Sequence, residues 1–258
     1  METIKIGSTG EAVKVLQRLL GITADSVFGH KTEQVVKQLQ RANKLSDDGV
    51  VGPKTWALLQ KDSIGIVDGH INTHISRSPN RPIKYISIHY TAGSTSKKGA
   101  ALATRNVFIQ RKASADFVVD DETIVQINPD LRNNYCWAVG DKKNPYTGGG
   151  SLYCNATNKN TISIEICSNL KKGTSSAMPN HEGWYFTEKS LNNAIKLVRY
   201  LMKLYNIPKS NVVRHYDISG KLCPGIIGWN NSTVYDTTGK ATSKKSDSDA
   251  WMVFWSLI

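Results

Sequence analysis

The chain has 258 residues, 40% of them apolar, which suffices for one large domain or a moderate one with a small module and excludes global disorder. Thirty-three Lys and Arg against 21 Asp and Glu leave a formal charge of +12, so the surface favours polyanions such as nucleic acid, anionic lipid or acidic wall polymers. No apolar run approaches the roughly 18 residues of a membrane span, and four cysteines without a CxxC pair exclude a disulfide scaffold.

The start, "METIKIGSTGEAVKV", lacks the basic-then-apolar pattern of a secretory signal. A chain made soluble in a reducing compartment is expected. Val13, Leu16, Leu19 and Leu20 mark an amphipathic helix beginning near Gly10-Glu11. An internal repeat follows. "ADSVFGHKTEQVVKQLQ" (24–40) and "DDGVVGPKTWALLQ" (47–60) each place an Asp (Asp25, Asp48) before a Gly (Gly29, Gly52) and a Lys-Thr pair at a helix start. Pro53 suits a first helical position. A small three-helix bundle over 1–60 is expected. The segments "GSTGEAVKVLQRLLGI", "FGHKT" and "DGVVGPKTW" resemble the peptidoglycan-binding domain found at the ends of wall-degrading enzymes.

Residues 61–80 collect Gly, Asp and Ser and read as a linker. From 81 to 258 the pattern turns α/β: a mixed central sheet flanked by helices. "KYISIHY" (84–90) and "TISIEI" (161–166) read as strands, "DFVVDDETIVQI" (116–127) as a hairpin, and "NVVRHYD" (211–217) as a short strand. "GAALATRNVFIQRK" (99–112) reads as a helix, and "TEKSLNNAIKLVRYLMKLYN" (187–206) as a long amphipathic one with Thr187 as N-cap. The polar stretch 231–249 reads as a flexible loop, and the apolar 250–258 as a C-terminal helix docking back on the domain.

"RHYDISGKLCPG" (214–225) sets His215 and Cys223 on one loop, and His89 ends another strand. Two imidazoles and a thiolate are good zinc ligands, and a fourth, open position is the catalytic pattern. Strand-end histidines with no such role are the alternative. In "TISIEI" the isoleucines point one way, while Thr161, Ser163 and Glu165 point the other. Glu165 is a carboxylate in an apolar strand, a costly placement unless paired or used; a sheet-edge glutamate facing solvent is the alternative. Lys221, two residues before Cys223, reaches the same space or is a solvated loop lysine.

Five segments in order, "ISIHYTAGS", "SADFVVDDETIVQI", "CWAVGDKKNPYTGG", "NTISIEIC" and "VVRHYDISGKLCPG", resemble the zinc-dependent N-acetylmuramoyl-L-alanine amidases of phage lysins, bacterial autolysins and animal peptidoglycan recognition proteins. The resemblance implies Zn²⁺ held by His89, His215 and Cys223, Glu165 as the catalytic glutamate and Lys221 as the oxyanion lysine. It implies substrate contacts at Thr91 and Trp137. The implied substrate is peptidoglycan, cut by zinc-activated water between N-acetylmuramic acid and L-alanine. The implied setting is a phage or prophage endolysin made in the host cytoplasm and released through a holin, with anionic wall polymers as further partners and neither nucleic acid nor membrane. A tyrosine of some members is replaced by Ala115, which raises the weight on Glu165, and "WH" of many relatives is Trp137-Ala138 here. A non-catalytic peptidoglycan-binding protein and a zinc peptidase cutting the stem peptide are the competing readings. Cys136, Cys154 and Cys167 read as buried thiols, with a Cys136–Cys154 bridge as the alternative.

Overall fold

The computed structural model describes residues 2–61, 64–93, 95–140, 142–143, 150–174, 183–225, 232–235, 241–245 and 248–258. The chain opens with three helices, α1 (Glu11–Leu19), α2 (His30–Ala42) and α3 (Pro53–Lys61). Val13, Leu16, Leu20, Phe28, Val36, Val51 and Trp56 are buried among them. The repeat seen in the sequence is also a repeat of hydrogen bonds. Gln17 Nε2 donates to Asp25 Oδ1 (2.7 Å) and to the Val27 carbonyl (2.9 Å). Gln40 Nε2 donates to Asp48 Oδ1 (3.0 Å) and to the Val50 carbonyl (2.8 Å). A buried glutamine thus closes each turn by satisfying groups that would otherwise be orphaned.

Two short strands follow, β1 (Ile66–Asp68) and β2 (Ile75–Arg77), then β3 (Tyr85–Tyr90), α4 (Ala100–Gln110), the hairpin β4 (Phe117–Val119) and β5 (Ile124–Gln126), and β6 (Asn134–Cys136). The chain continues through β7 (Thr161–Ile166), β8 (Asn169–Leu170), β9 (Trp184–Tyr185), α5 (Glu188–Tyr205), β10 (Val212–Arg214) and α6 (His215–Ser219). It ends with β11 (Ser232–Tyr235), β12 (Ala241–Lys245) and α7 (Ser248–Ser256).

Six strands form a mixed sheet in the order β1-β5-β4-β7-β3-β10. All neighbours are parallel except the hairpin pair β4–β5. The stretch 61–80, expected as a linker, is therefore corrected in part: Ile66–Asp68 pairs in parallel with Ile124–Gln126 at the sheet edge, and β2 pairs antiparallel with β6. Three residues, Ile66, Val67 and Asp68, were too few to show strand alternation between Gly65 and Gly69. The expected strand 211–217 is shorter, because His215 already opens α6, with Arg214 bonded to Asp217 at its start. The stretch read as a flexible loop carries the antiparallel pair β11–β12; residues 231, 236–240 and 246–247 lie outside the described residues.

Each sheet face is covered by a helix. Ile86, Ile88, Ile162, Ile164 and Ile166 share a core with Leu197, Val198 and Leu201 of α5. Val118 and Val125 pack on the opposite face with Ala101 and Phe108 of α4. The Thr187 hydroxyl caps α5 by accepting from Ser190 N. Trp251 and Phe254 bury the C-terminal helix in the first core. The same core runs on into the N-terminal bundle: Leu39, Leu58 and Leu59 face Tyr200 and Leu204. Polar ties reinforce this contact, from Arg18 Nε to Asp68 Oδ2 (2.9 Å) and from Leu131 N to the Gly21 carbonyl (3.2 Å). Cys136, Cys154, Cys167 and Cys223 are all free thiols, with Cys154 exposed and the others buried.

Beneath the hairpin lies a buried ion pair. Arg81 Nη2 approaches Asp116 Oδ1 at 3.2 Å, with both side chains essentially inaccessible. Asp116 also accepts from Asn128 Nδ2 (2.6 Å) and Ser163 N (2.8 Å), and Arg81 donates to the carbonyls of Leu131, Asn158 and Thr161. Asp116→Ala leaves the guanidinium buried and unpaired, so the unfolding free energy should fall by about 3–5 kcal/mol. Urea denaturation of the two proteins measures this; a fall under about 1 kcal/mol would show that water reaches Arg81.

Candidate metal centre

The site is set by strand register. β3 and β7 are parallel neighbours, and Ser87 stands opposite Ser163 while His89 stands opposite Glu165. Since side chains alternate along a strand, all four lie on the face away from α5. β10 flanks β3 on its other side, also parallel, so the residue after Arg214 emerges at the same sheet edge as His89. That residue is His215. The loop after α6 returns through Tyr216 N, which donates to the Cys223 carbonyl (3.0 Å), and places the thiol beside both rings.

His89, His215 and Cys223 are all buried, and their ligand atoms lie within 4.8 Å of one another. Cys223 Sγ is 3.7 Å from His89 Nδ1, and the two imidazole rings are 4.5 Å apart. The remaining ring nitrogens are held from outside. His89 Nε2 pairs with Ser87 Oγ (2.8 Å), which in turn meets Ser163 Oγ (3.1 Å). His215 Nε2 pairs with the Val139 carbonyl (3.0 Å), so it carries the proton and leaves Nδ1 with the lone pair. His215 Nδ1 is buried without a hydrogen-bond partner among the described residues. Two inward-facing Nδ1 atoms and a thiol make a donor set that fits a borderline-soft divalent ion. The orphaned nitrogen is the observation that speaks for one.

The electrostatics agree. Burial, helped by the neighbouring Lys221 charge, lowers His215 to about 3. Burial, then His215 and Lys221, drives His89 well below its usual range. Both rings are therefore neutral at neutral pH, as ligands must be. Burial raises the Cys223 thiol, with the Glu165 charge adding to the effect and Lys221 opposing it. Burial also lifts Glu165 to about 8, against the pull of Lys221. Glu165 sits on a central strand, not a sheet edge, and its Oε2 is buried without a hydrogen-bond partner among the described residues.

A cleft of 690 Å³ opens onto His89, Glu165 and Cys223, and is also lined by Thr91, Trp137 and Lys221. A second groove of 1120 Å³ runs from His215 past Lys221 and Trp137 to Lys112, Tyr135 and Lys143. The residues expected at the site from the sequence thus border two spaces that share Trp137 and Lys221, with His215 on the second only. Lys221 is exposed at its rim. Trp137 is 42% exposed and is held by an indole hydrogen bond to Ser76 Oγ (2.9 Å). The Thr91 hydroxyl accepts from Gly93 N (3.2 Å) and Ser168 N (3.3 Å), so it also shapes the loop at the cleft mouth. Ala115 is fully buried against Phe108 and Val118 and presents nothing to the cleft. Sequence reasoning missed Ser87, Ser163 and the Val139 carbonyl. The available signal was the i−2 spacing of each serine from His89 and Glu165.

Residues 79–226, more than half of the chain, match the family described as N-acetylmuramoyl-L-alanine amidase, and residues 8–59 match a family described as a peptidoglycan binding domain. Among curated proteins, N-acetylmuramoyl-L-alanine amidase CwlH of Bacillus subtilis (strain 168) is 34% identical over 168 residues, 62% of this chain and 56% of that protein. N-acetylmuramoyl-L-alanine amidase CwlL of Bacillus licheniformis is 34% identical over 149 residues, 55% of this chain and 36% of that protein. The chain thus spans little more than half of the first relative's length and about a third of the second's. Among solved structures, a mutant endolysin from Bacillus subtilis aligns with a TM-score of 0.47 at 28% identity, covering 76% of this chain and 99% of that one.

Two outcomes follow from the second layer and the thiol. Ser87→Ala removes the partner of His89 Nε2 and should weaken divalent-metal affinity by about tenfold to a hundredfold, read by competition with a chromophoric chelator. An unchanged affinity would mean that packing alone orients the ring. Because the raised thiol keeps its proton in the metal-free site, uptake must release it. Affinity should therefore rise with pH between 6 and 8, by up to about tenfold per unit for each proton released; a flat profile would show a thiolate already formed.

Proposed function

The chain belongs to the N-acetylmuramoyl-L-alanine amidase family, and on that footing we propose that it hydrolyses the amide joining N-acetylmuramic acid to L-alanine in bacterial peptidoglycan. The single observation that carries the reading is the cluster of His89, His215 and Cys223, with Glu165 lining the same cleft as His89 and Cys223. Zn²⁺ is the ion proposed for the cluster, held by His89, His215 and Cys223. When bound it lowers the pKa of a water to about 7 and polarises a carbonyl.

The chain's own residues do the rest. Once deprotonated, which the positive charge of a bound ion and of Lys221 would favour, Glu165 accepts the proton of the attacking water and returns it to the leaving amine of L-alanine. The partner-free Oε2 is the atom available for that transfer. Lys221 brings its ammonium to the oxygen that becomes negative as the carbonyl carbon turns tetrahedral. Its position at the rim leaves that charge available without burying it. Trp137 offers an exposed ring, and the groove with Lys112 and Lys143 offers positive charge to a substrate that carries carboxylates. The two histidine ligands, being buried and neutral, add no competing positive charge.

Residues 1–60 are proposed as the wall-binding module, 61–80 as the connection and 81–258 as the catalytic domain. Holding the catalytic cleft near an insoluble polymer raises its local concentration there. Lysis of the host wall by a phage or prophage, with exit through a holin, belongs to the same proposal, as does attraction to anionic wall polymers.

Digestion of purified peptidoglycan, read by mass spectrometry, tests the reaction. Free stem peptides beginning with L-alanine beside intact glycan are expected, lost with chelator and restored by Zn²⁺. Cuts within the stem would replace the amidase with a peptidase, and no cuts with the protein still on the wall would leave a binding protein. Glu165→Gln should lower kcat by roughly a hundredfold or more while metal content is kept. Full activity in that variant would remove Glu165 from proton transfer.

A further inference from the structure

The two halves of the N-terminal bundle match position by position at an offset of 23 residues, from Gln17 and Gln40 to Lys31 and Lys54. The match extends to the backbone. Gly21 and Lys44 both have left-handed φ (65° and 56°), as do Ser26 and Gly49 (66° and 75°). Ile22 N donates to the Gln17 carbonyl (3.0 Å), and Leu45 N donates to the Gln40 carbonyl (2.9 Å). The two turns are therefore the same surface built twice.

In the first copy that surface is filled. The loop after β5 lays Asp130 and Leu131 across it. Asp130 Oδ2 accepts from Lys31 Nζ and from Thr23 Oγ1, and Leu131 N donates to the Gly21 carbonyl (3.2 Å). Leu131 seats so close that a Cβ on Gly21 would stand 2.8 Å from its Cδ1. In the second copy the equivalent surface is an open cavity of 440 Å³, lined by Gln40, Lys44, Ser46, Asp48, Lys54 and Thr55, among others. Lys54 stands for Lys31 and Ser46 for Thr23. Both are exposed, and Lys54 makes no ion pair among the described residues.

We infer that this second-repeat cavity binds a peptide bearing a free carboxylate beside a small apolar residue. The first copy shows the chemistry: a carboxylate on the lysine and the hydroxyl, and a neighbouring amide on the turn carbonyl. Lys44, in place of Gly21, narrows the seat that Leu131 uses, so the apolar neighbour is of alanine size. It also adds a second cation, which outweighs Asp48, already engaged by Gln40. Peptidoglycan stem peptides carry this pairing of carboxylate and alanine methyl. That last step rests on the wall-binding reading of residues 1–60, whereas the site itself does not.

The test uses the full chain, labelled with ¹⁵N and titrated with N-acetyl-aspartyl-alaninamide. Amide signals of residues 44–55 should move, and those of residues 21–32 should not. The asparaginyl analogue should fail to produce the shifts. Lys54→Gln should weaken the titration by about tenfold or more, and Lys54→Arg should largely restore it. Equal shifts with the asparaginyl analogue, or no shifts at residues 44–55, would overturn the site. Sedimentation with purified walls separates the two ideas. Peptide binding with unaltered wall retention in Lys54→Gln would keep the site and remove its role on the wall. Wall retention without peptide shifts would keep the module's role and remove this site.

Discussion

A buried ion pair holds the parts of this molecule in their places. Arg81 and Asp116 meet out of reach of water and are surrounded by further hydrogen bonds. Such pairs add little net stability compared with apolar substitutes, yet breaking one is costly. Here the arrangement reaches the reactive centre in three steps. Asp116 accepts from Ser163 N, the Ser163 hydroxyl meets Ser87, and Ser87 holds the outer nitrogen of His89. In the other direction Arg81 grips the carbonyl of Leu131, whose amide reaches Gly21 in the N-terminal bundle. One contact chain therefore runs from the helical module, through the ion pair, to His89 of the candidate metal cluster.

The centre itself works by withholding charge. Burial keeps both imidazoles unprotonated and keeps the thiol and Glu165 protonated in the metal-free protein. The formal charge around the cleft then comes from cations on its walls, Lys221 and Arg111 among them. A divalent ion entering such a pocket meets little competing positive charge among its ligands and finds a thiol ready to yield a proton. Parallel strands make this economical in sequence, because His89 at the end of β3 and His215 directly after its neighbour β10 emerge side by side.

Much of this was readable from the chain alone, for definite reasons. Period-two alternation in "TISIEI" put Glu165 on the opposite face from three isoleucines, and the structure keeps that split. The Asp, Gly and Lys-Thr repeat announced a duplicated turn. Other features left no pattern. Arg81 and Asp116 look like ordinary surface charges until the fold brings them together across 35 positions. β1 is three residues long and gains its identity only by pairing with β5. The supporting role of Ser87 depends on which ring nitrogen faces inward, and spacing does not encode that. The free state of the cysteines likewise follows from their separate places in the fold.

The apolar seam between bundle and sheet bears on how such proteins can be recombined. Leu39, Leu58 and Leu59 on one side and Tyr200 and Leu204 on the other belong to one continuous core. The two units are thus closer to halves of a single cooperative body than to beads on a string. Grafting a foreign targeting head in place of residues 1–60 would strip that side of α5 of its cover and leave a greasy strip in water. A chimaera that keeps its solubility must carry either the matching leucines on the new head or polar replacements along α5.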